Sequence, residues 1–250
     1  MSTETTCETL AQQLGDLGLR LGDVVMTHAS MRSVGPVEGG AKSLVEAQLA
    51  AIGAEGTLLM ALGADADDPF DAETTPVDIE DLGILAEVFR NYPGVQVSDH
   101  PAGRFGAIGK QAHRLLHPMP LHDYYGPESP LERFTGLRGR VLRLGADPDT
   151  VTLTHYAEYL ANVPDKIRAR RKYVRADTGE IWIESLDDSD GIAEWPQGDY
   201  FEQIFLDYRS SGAVTTGQVG CCTAELFEAS DFVSFAVQWM NRELGAGHQS

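Results

Sequence analysis

Two short apolar runs, Val24-Val25-Met26 and Thr57-Leu58-Leu59-Met60-Ala61-Leu62, lie either side of a glycine-bearing loop and one helical stretch. Residues 23–28 have the β-branched and apolar make-up of a buried strand. A loop over 29–40 follows, with glycines at 35, 39 and 40. Ser43-Leu44-Val45-Glu46 has the capping-box pattern, so a helix is expected to open there and run to Ile52. Gly53-Ala54-Glu55-Gly56 reads as a turn into the second strand, 57–62. Strand–loop–helix–strand is the order of a crossover unit, so a mostly parallel sheet with covering helices is expected.

The rest of the chain extends this pattern. A helix is expected over 8–19, and others over 83–92, 110–116 and 152–161. A strand is expected over 141–144, and a last helix over 230–244. Segment 63–81 lacks periodicity and carries Asp65, Asp67, Asp68, Asp71, Glu73, Asp78, Glu80 and Asp81. A structureless stretch of that length in a compact chain is usually functional or disordered. Past Lys172 the pattern becomes an antiparallel hairpin, 172–176 and 180–184, turning at Asp177-Thr178-Gly179. A second acidic cluster follows at Glu184, Asp187, Asp188, Asp190 and Glu194.

Charge narrows the partners. With 38 acidic and 19 basic side chains the formal net charge is −19, a field that repels nucleic acid and anionic membranes and attracts small polycations. No apolar run approaches the roughly 20 residues of a membrane span, and residues 1–7 lack a signal-peptide pattern, so a cytoplasmic location is expected. Cys7, Cys221 and Cys222 fit neither a disulfide framework nor zinc spacing, and read as small buried apolar side chains.

Seven histidines are candidates for chemistry. On a helix, His155 and Glu158 stand at i and i+3 and share a face. A carboxylate there can orient an imidazole that removes a proton from an attacking amine; the bland alternative is a solvated helix face. Loop 28–40 can offer backbone N–H groups, with Ser30 and Ser33 as hydroxyl donors and Arg32 as a charge, to phosphate oxygens. It matches neither the nucleotide P-loop nor the dinucleotide fingerprint, and an ordinary connection is the alternative. His100, in Ser98-Asp99-His100-Pro101, is a structural or a pocket histidine. His113, His117 and His122 show no ligand spacing, so no metal is expected. Gly-x-Ser-x-Gly is absent.

Together these blocks resemble the aminoglycoside 3-N-acetyltransferase family, whose fold is distinct from the common GNAT acetyltransferases. The similarity runs in order from about residue 8 to 240. It includes His28-Ala29-Ser30-Met31-Arg32-Ser33-Val34-Gly35, Gly53-Ala54-Glu55-Gly56-Thr57, Asp68-Pro69-Phe70-Asp71, Leu82-Gly83-Ile84-Leu85, Ser98-Asp99-His100-Pro101, Ser129-Pro130-Leu131 and Thr154-His155-Tyr156-Ala157-Glu158. The resemblance implies a three-layer α/β/α fold around a mixed sheet, with the hairpin a small antiparallel insertion in the C-terminal half. One domain, 1–250, is expected, its subregion near 165–200 contributing to the substrate cleft.

For function, the resemblance implies acetyl-CoA as donor and an aminoglycoside acceptor modified at the 3-amino group of 2-deoxystreptamine, conferring resistance. His155 would be the base, with Glu158 orienting it or binding the drug. His28, Ser30, Met31, Arg32, Ser33 and Val34 would hold the CoA pyrophosphate and pantetheine. Asp67, Asp68, Asp71, Glu184, Asp187 and Asp188 would pair with the drug's ammonium groups, which need carboxylate partners. Asp165 stands where members often have Tyr, and Arg104 lies where many have a small hydroxyl residue nearby. Both bear on the acceptor profile rather than the reaction. The chain is expected as a monomer or homodimer. The alternatives are an acetyltransferase for another cationic amine and a non-catalytic aminoglycoside-binding protein.

Overall fold

The computed structural model describes residues 4–64, 69–161, 166–186, 195 and 198–245. In chain order the elements are α1 (Cys7–Leu17), β1 (Val24–Ala29), α2 (Met31–Val34), α3 (Gly40–Ile52), β2 (Thr57–Ala61), α4 (Ile79–Leu82), α5 (Ile84–Arg90), β3 (Gln96–Val97), β4 (Phe105–Gly109) and α6 (Ala112–Leu116). There follow α7 (Pro130–Gly136), β5 (Arg140–Leu144), α8 (Leu153–Leu160), β6 (Arg168–Arg175), β7 (Gly179–Leu186), α9 (Tyr200–Ser210), β8 (Thr215–Val219), β9 (Cys222–Glu228) and α10 (Ala229–Glu243).

Seven strands form one sheet in the order β3-β4-β2-β1-β5-β9-β8. Only the central trio is parallel, β1 with β2 and β1 with β5; the four outer pairings are antiparallel. The sheet is therefore mixed, as the family resemblance implies, and not mostly parallel as the first crossover suggested. The reason is connectivity: β8 and β9 are joined by the tight turn at Gly220, which permits only antiparallel pairing.

Successive residues of the central strands face opposite cores. Val24, Met26, Leu59 and Val141 join one buried cluster with side chains of α6 to α10. Val25, Leu58, Met60 and Leu142 join another with α1, α3 and α5. That alternation gives the three α/β/α layers. β6 and β7 form a separate two-stranded antiparallel sheet whose residues alternate in exposure.

Several local readings change. Segment 29–40 holds the short helix α2, capped by Ser30. Helix α3 opens at Gly40 behind a left-handed Gly39, so Ser43 lies inside it rather than capping it. Side-chain caps stand at other helices, among them α7, where Ser129 Oγ accepts from Glu132 N at 3.3 Å and Pro130 occupies the first turn. The helices α7 and α9 and the strands β3, β8 and β9 carried no pattern strong enough to be read. Cys222 is buried as expected, whereas Cys221 is exposed.

Candidate active site

Brought to one end of the central strands are Ala29 of β1, Ala61 of β2 and the loop after Leu144 of β5. A crevice at strand carboxyl ends is the usual ligand position in an open α/β sheet. Two adjoining cavities occupy it. One, of about 470 Å³, is lined by His28, Ser30, Met31, Arg32, the α4–α5 segment 79–86, Ala146, Asp147 and Thr150. The other, of about 710 Å³, is lined by Phe70, Asp78, Tyr125, Asp149, His155, Phe201 and the β6 residues Lys172, Tyr173 and Val174, among others. Both are lined by Ala61, Asp81, Leu82 and Thr150, so they meet there.

The larger cavity contains the His–Glu pair. Helix α8 turns Leu153, Tyr156 and Ala157 into the core, which leaves His155 at the cleft and puts Glu158 at 2% exposure. His155 Nδ1 lies 3.3 Å from Glu158 Oε2. Tyr200, at the start of α9, donates its hydroxyl to the other carboxylate oxygen. Burial and that carboxylate push the Tyr200 phenol up, keeping it a donor. With Glu158 accepting on both sides, Nδ1 carries the proton and Nε2 keeps the lone pair. The ring itself is held by Tyr125, stacked at 5.0 Å and 13°, and by the edge of Phe201 at 4.9 Å. A buried carboxylate, an oriented imidazole and an aromatic frame form an arrangement that can take up a proton, and they set the pair apart from a solvated helix face. Close by, Lys166 buries its ammonium without a hydrogen-bond partner. Burial lowers it to about 8, and Glu158 opposes that shift.

In the smaller cavity Ser30 Oγ accepts from Ser33 N at 3.3 Å and lies 3.1 Å from Ser33 Oγ, which fixes the turn into α2. The first N–H groups of a helix have no partner within it, and Met31 and Arg32 stand at that position in α2. His28 is buried with Nε2 unpartnered, and burial followed by Arg143 lowers it to about 3, so it is a neutral polar group. Arg143 itself is buried against Glu225 and donates to Ala146 O and Asp147 O at 2.9 and 2.6 Å, which holds the loop lining this cavity.

The aminoglycoside 3-N-acetyltransferase family model matches residues 26–241. That shows the family. The chain belongs to the aminoglycoside 3-N-acetyltransferases. Aminoglycoside N(3)-acetyltransferase III of Pseudomonas aeruginosa is 37% identical over 250 residues, covering 92% of this chain and 91% of its own. The solved structure of AAC-IIIb binary with CoASH superposes with a TM-score of 0.93 at 32% identity, over 98% of this chain and 99% of the other. AAC-VIa bound to sisomicin superposes at 0.90 with 34% identity, over 98% and 100%.

Against this aminoglycoside acetyltransferase fold the candidate residues divide. His155 and Glu158 come together at the larger cavity, and His28, Ser30, Met31 and Arg32 line the smaller one. Ser33 braces Ser30 without lining it, and Val34 is fully buried in the core. Asp71 is spent on its own turn, accepting from Glu73 N, Thr74 N and the Thr74 hydroxyl at 3.0, 2.8 and 2.8 Å. Those bonds hold its carboxyl below the usual range. Glu184 is exposed on β7 beside Arg170, 3.6 Å away, and lines neither cavity. Asp67, Asp68, Asp165, Asp187 and Asp188 lie outside the described residues.

Among the described residues, the carboxylates that line the larger cavity are Asp78, Asp81 and Asp149. Asp81 is held above the ordinary carboxylate range by desolvation first and then by Asp78 and Asp149. Asp78 and Asp81 were visible as part of the acidic run, but nothing in the sequence ranked them over Asp67 to Asp71. Tyr125, Tyr200 and Phe201 had no signal, because their role depends on α8 meeting α9 and the loop between α6 and α7. His100 is structural: Nε2 donates to Leu121 O at 3.0 Å while Nδ1 accepts from Gly103 N at 2.8 Å. Burial lowers it to about 4. Among the described residues no group of three or more His, Cys, Asp or Glu could hold a metal, and no helix is long and apolar enough to cross a membrane.

Proposed function

We propose that this protein transfers acetyl from acetyl-CoA to the 3-amino group of the 2-deoxystreptamine ring of aminoglycosides, an acyl transfer that inactivates the drug and confers resistance. The observation that carries it is the junction at Ala61, Asp81, Leu82 and Thr150, where a cavity lined by His155, with buried Glu158 behind it, opens onto one framed by the Ser30 loop. Relatives that bind CoASH and sisomicin support the two ligand classes.

In this reading His28, Ser30, Met31 and Arg32 hold the donor, whose thioester supplies the acetyl group. The acceptor sits in the larger cavity with its ammonium groups toward Asp78, Asp81 and Asp149. His155 Nε2 removes a proton from the attacking amine while Glu158, itself held by Tyr200, supports the imidazolium that forms. The amine nitrogen gains the acetyl group and the CoA thiolate leaves, taking up a proton. No covalent enzyme intermediate is needed: Cys222 is buried and pushed up to about 11 by desolvation, far from a thiolate nucleophile. The acidic subregion near 165–200 contributes the hairpin wall of the acceptor cleft, within one domain spanning the chain.

Thiol release from acetyl-CoA tests this against gentamicin, sisomicin and a linear polyamine, with His155→Ala in parallel. Release with the aminoglycosides alone, lost in the variant, is expected. Release with the polyamine alone would move the acceptor to a simple cationic amine. Drug binding without any release would leave a sequestering protein.

A further inference from the structure

Phe70 is 3% exposed although it belongs to the acidic, aperiodic segment between β2 and α4. Its burial comes from two arginines and a bridge. Phe70 N donates to Val174 O at 2.7 Å and Ala176 N donates to Phe70 O at 2.8 Å, an isolated parallel bridge to the end of β6. The guanidinium carbons of Arg104 and Arg175 lie over the ring, 5.6 and 5.8 Å from its centroid.

The two arginines come from different bodies of structure. Arg104 precedes β4 of the main sheet and donates to Gly63 O, Thr75 O and Pro76 O at 2.6, 2.7 and 3.0 Å. Arg175 ends β6 of the separate hairpin and donates to both oxygens of Asp99 at 2.9 and 2.7 Å, and to Asp177 at 3.0 Å. Phe70 thus joins the β6 C-terminal end of the hairpin to the main body, while Asp123 on Arg168 and Glu184, and Tyr159 on Leu186, tie down its other end. Phe70 lines the acceptor cleft beside Lys172, Tyr173 and Val174 of that hairpin. Neither Phe70 nor either arginine is among the residues lining the donor cavity.

We propose that Phe70, clamped by Arg104 and Arg175, is a positioning residue for the acceptor: it sets the distance between the hairpin wall and the His155 wall of the cleft. This rests on the acetyltransferase reading above, and it concerns the acceptor side alone. A cation over an aromatic face is worth enough, for two partly desolvated pairs, to change acceptor affinity by roughly tenfold.

Phe70→Leu keeps the apolar side chain and both backbone bonds but removes the π face. Arg175→Met removes one cation, and Arg175→Lys restores a charge there. Steady-state kinetics give both KM values, and amide hydrogen exchange is read at Phe70 and Ala176. The expected result is an acceptor KM raised on the order of tenfold in Phe70→Leu. The acetyl-CoA KM is unchanged, kcat stays near wild type, and the two amides exchange faster. Arg175→Met follows Phe70→Leu, with Arg175→Lys between it and wild type. An unchanged acceptor KM, or both KM values rising together, overturns the proposal. If the wild type acetylates no aminoglycoside, the acetyltransferase reading falls by itself. Exchange at the two amides then decides the clamp, faster in Phe70→Leu if it exists and unchanged if it does not.

Discussion

The two cavities, proposed above for donor and acceptor, share a border but are built in different ways. The donor side stands on the ends of β1 and β5, whose neighbouring residues Val25, Met26, Val141 and Leu142 are fully buried in two opposed cores. The acceptor side is mixed. Its His155 wall rests on α8 and α9, whose Leu153, Tyr156, Ala157 and Phe205 are buried, but its opposite wall is loop and hairpin, joined by Arg104 on the carbonyls of 63–76, Phe70 on Val174 and Arg175 on Asp99. The two buried histidines repeat the contrast. His28, on the donor side, tolerates an unpartnered nitrogen because its strand is fixed by apolar packing. His100, on the acceptor side, has both nitrogens engaged and thereby fixes the turn 98–103. Of these two histidines, the one on a wall fixed by burial keeps a polar atom unpartnered, and the one on a wall fixed by polar links has both nitrogens engaged.

The largest effect should come from the one residue that acts across the border. His155→Ala is expected to lower kcat by about 100- to 10,000-fold, with acetyl-CoA binding by calorimetry unchanged. Loss of CoA binding would mean that the cavities do not separate chemically. Arg104→Met comes next. It strands three carbonyls, one of them buried and two partly so, and should cost roughly 2 kcal/mol in urea unfolding, with the acceptor KM raised and the donor KM held. Equal rises in both would show one wall rather than two.

Acidification probes both buried histidines. His28 at about 3 and His100 at about 4 lie below their unfolded value of 6.5. The unfolded chain therefore binds more protons between those limits, and stability falls as pH drops from 6.5. Between pH 7 and pH 5 each should cost on the order of 2 kcal/mol, and His100→Gln should shallow the slope of unfolding free energy against pH. A wild type equally stable at both pH values would contradict these assignments. The smallest effect is that of salt. The donor is a polyanion, yet Glu80, Asp81 and Asp147 line its cavity with Arg32, and the net charge is −19. Raising ionic strength should lower the acetyl-CoA KM and raise the aminoglycoside KM, each by about two- to fivefold. Movement of both in the same direction would place the controlling charges elsewhere.

Legibility follows the same division. The first crossover, the central strands and the His155–Glu158 spacing were readable because they depend on local periodicity and on residues close in sequence. The donor loop was readable in part: its turn is local, but which side chains face the cavity is not, and Val34 points into the core instead. The acceptor wall was the least readable. Asp71 and Asp81 sit in one acidic stretch with similar neighbours, and only the fold commits Asp71 to its own turn and Asp81 to the cleft.

The sequence alone therefore determined the family and the α/β class, and it set out the His155–Glu158 spacing behind the proposed base, since each is written in contiguous blocks of residues. The tertiary structure decided what completes the base and what shapes the cleft. Tyr200 reaches Glu158 across 42 positions, and Arg104 reaches the carbonyls of Thr75 and Gly63 across 29 and 41. Contacts over such separations are selected by the packing of whole elements, which no local window of residues encodes.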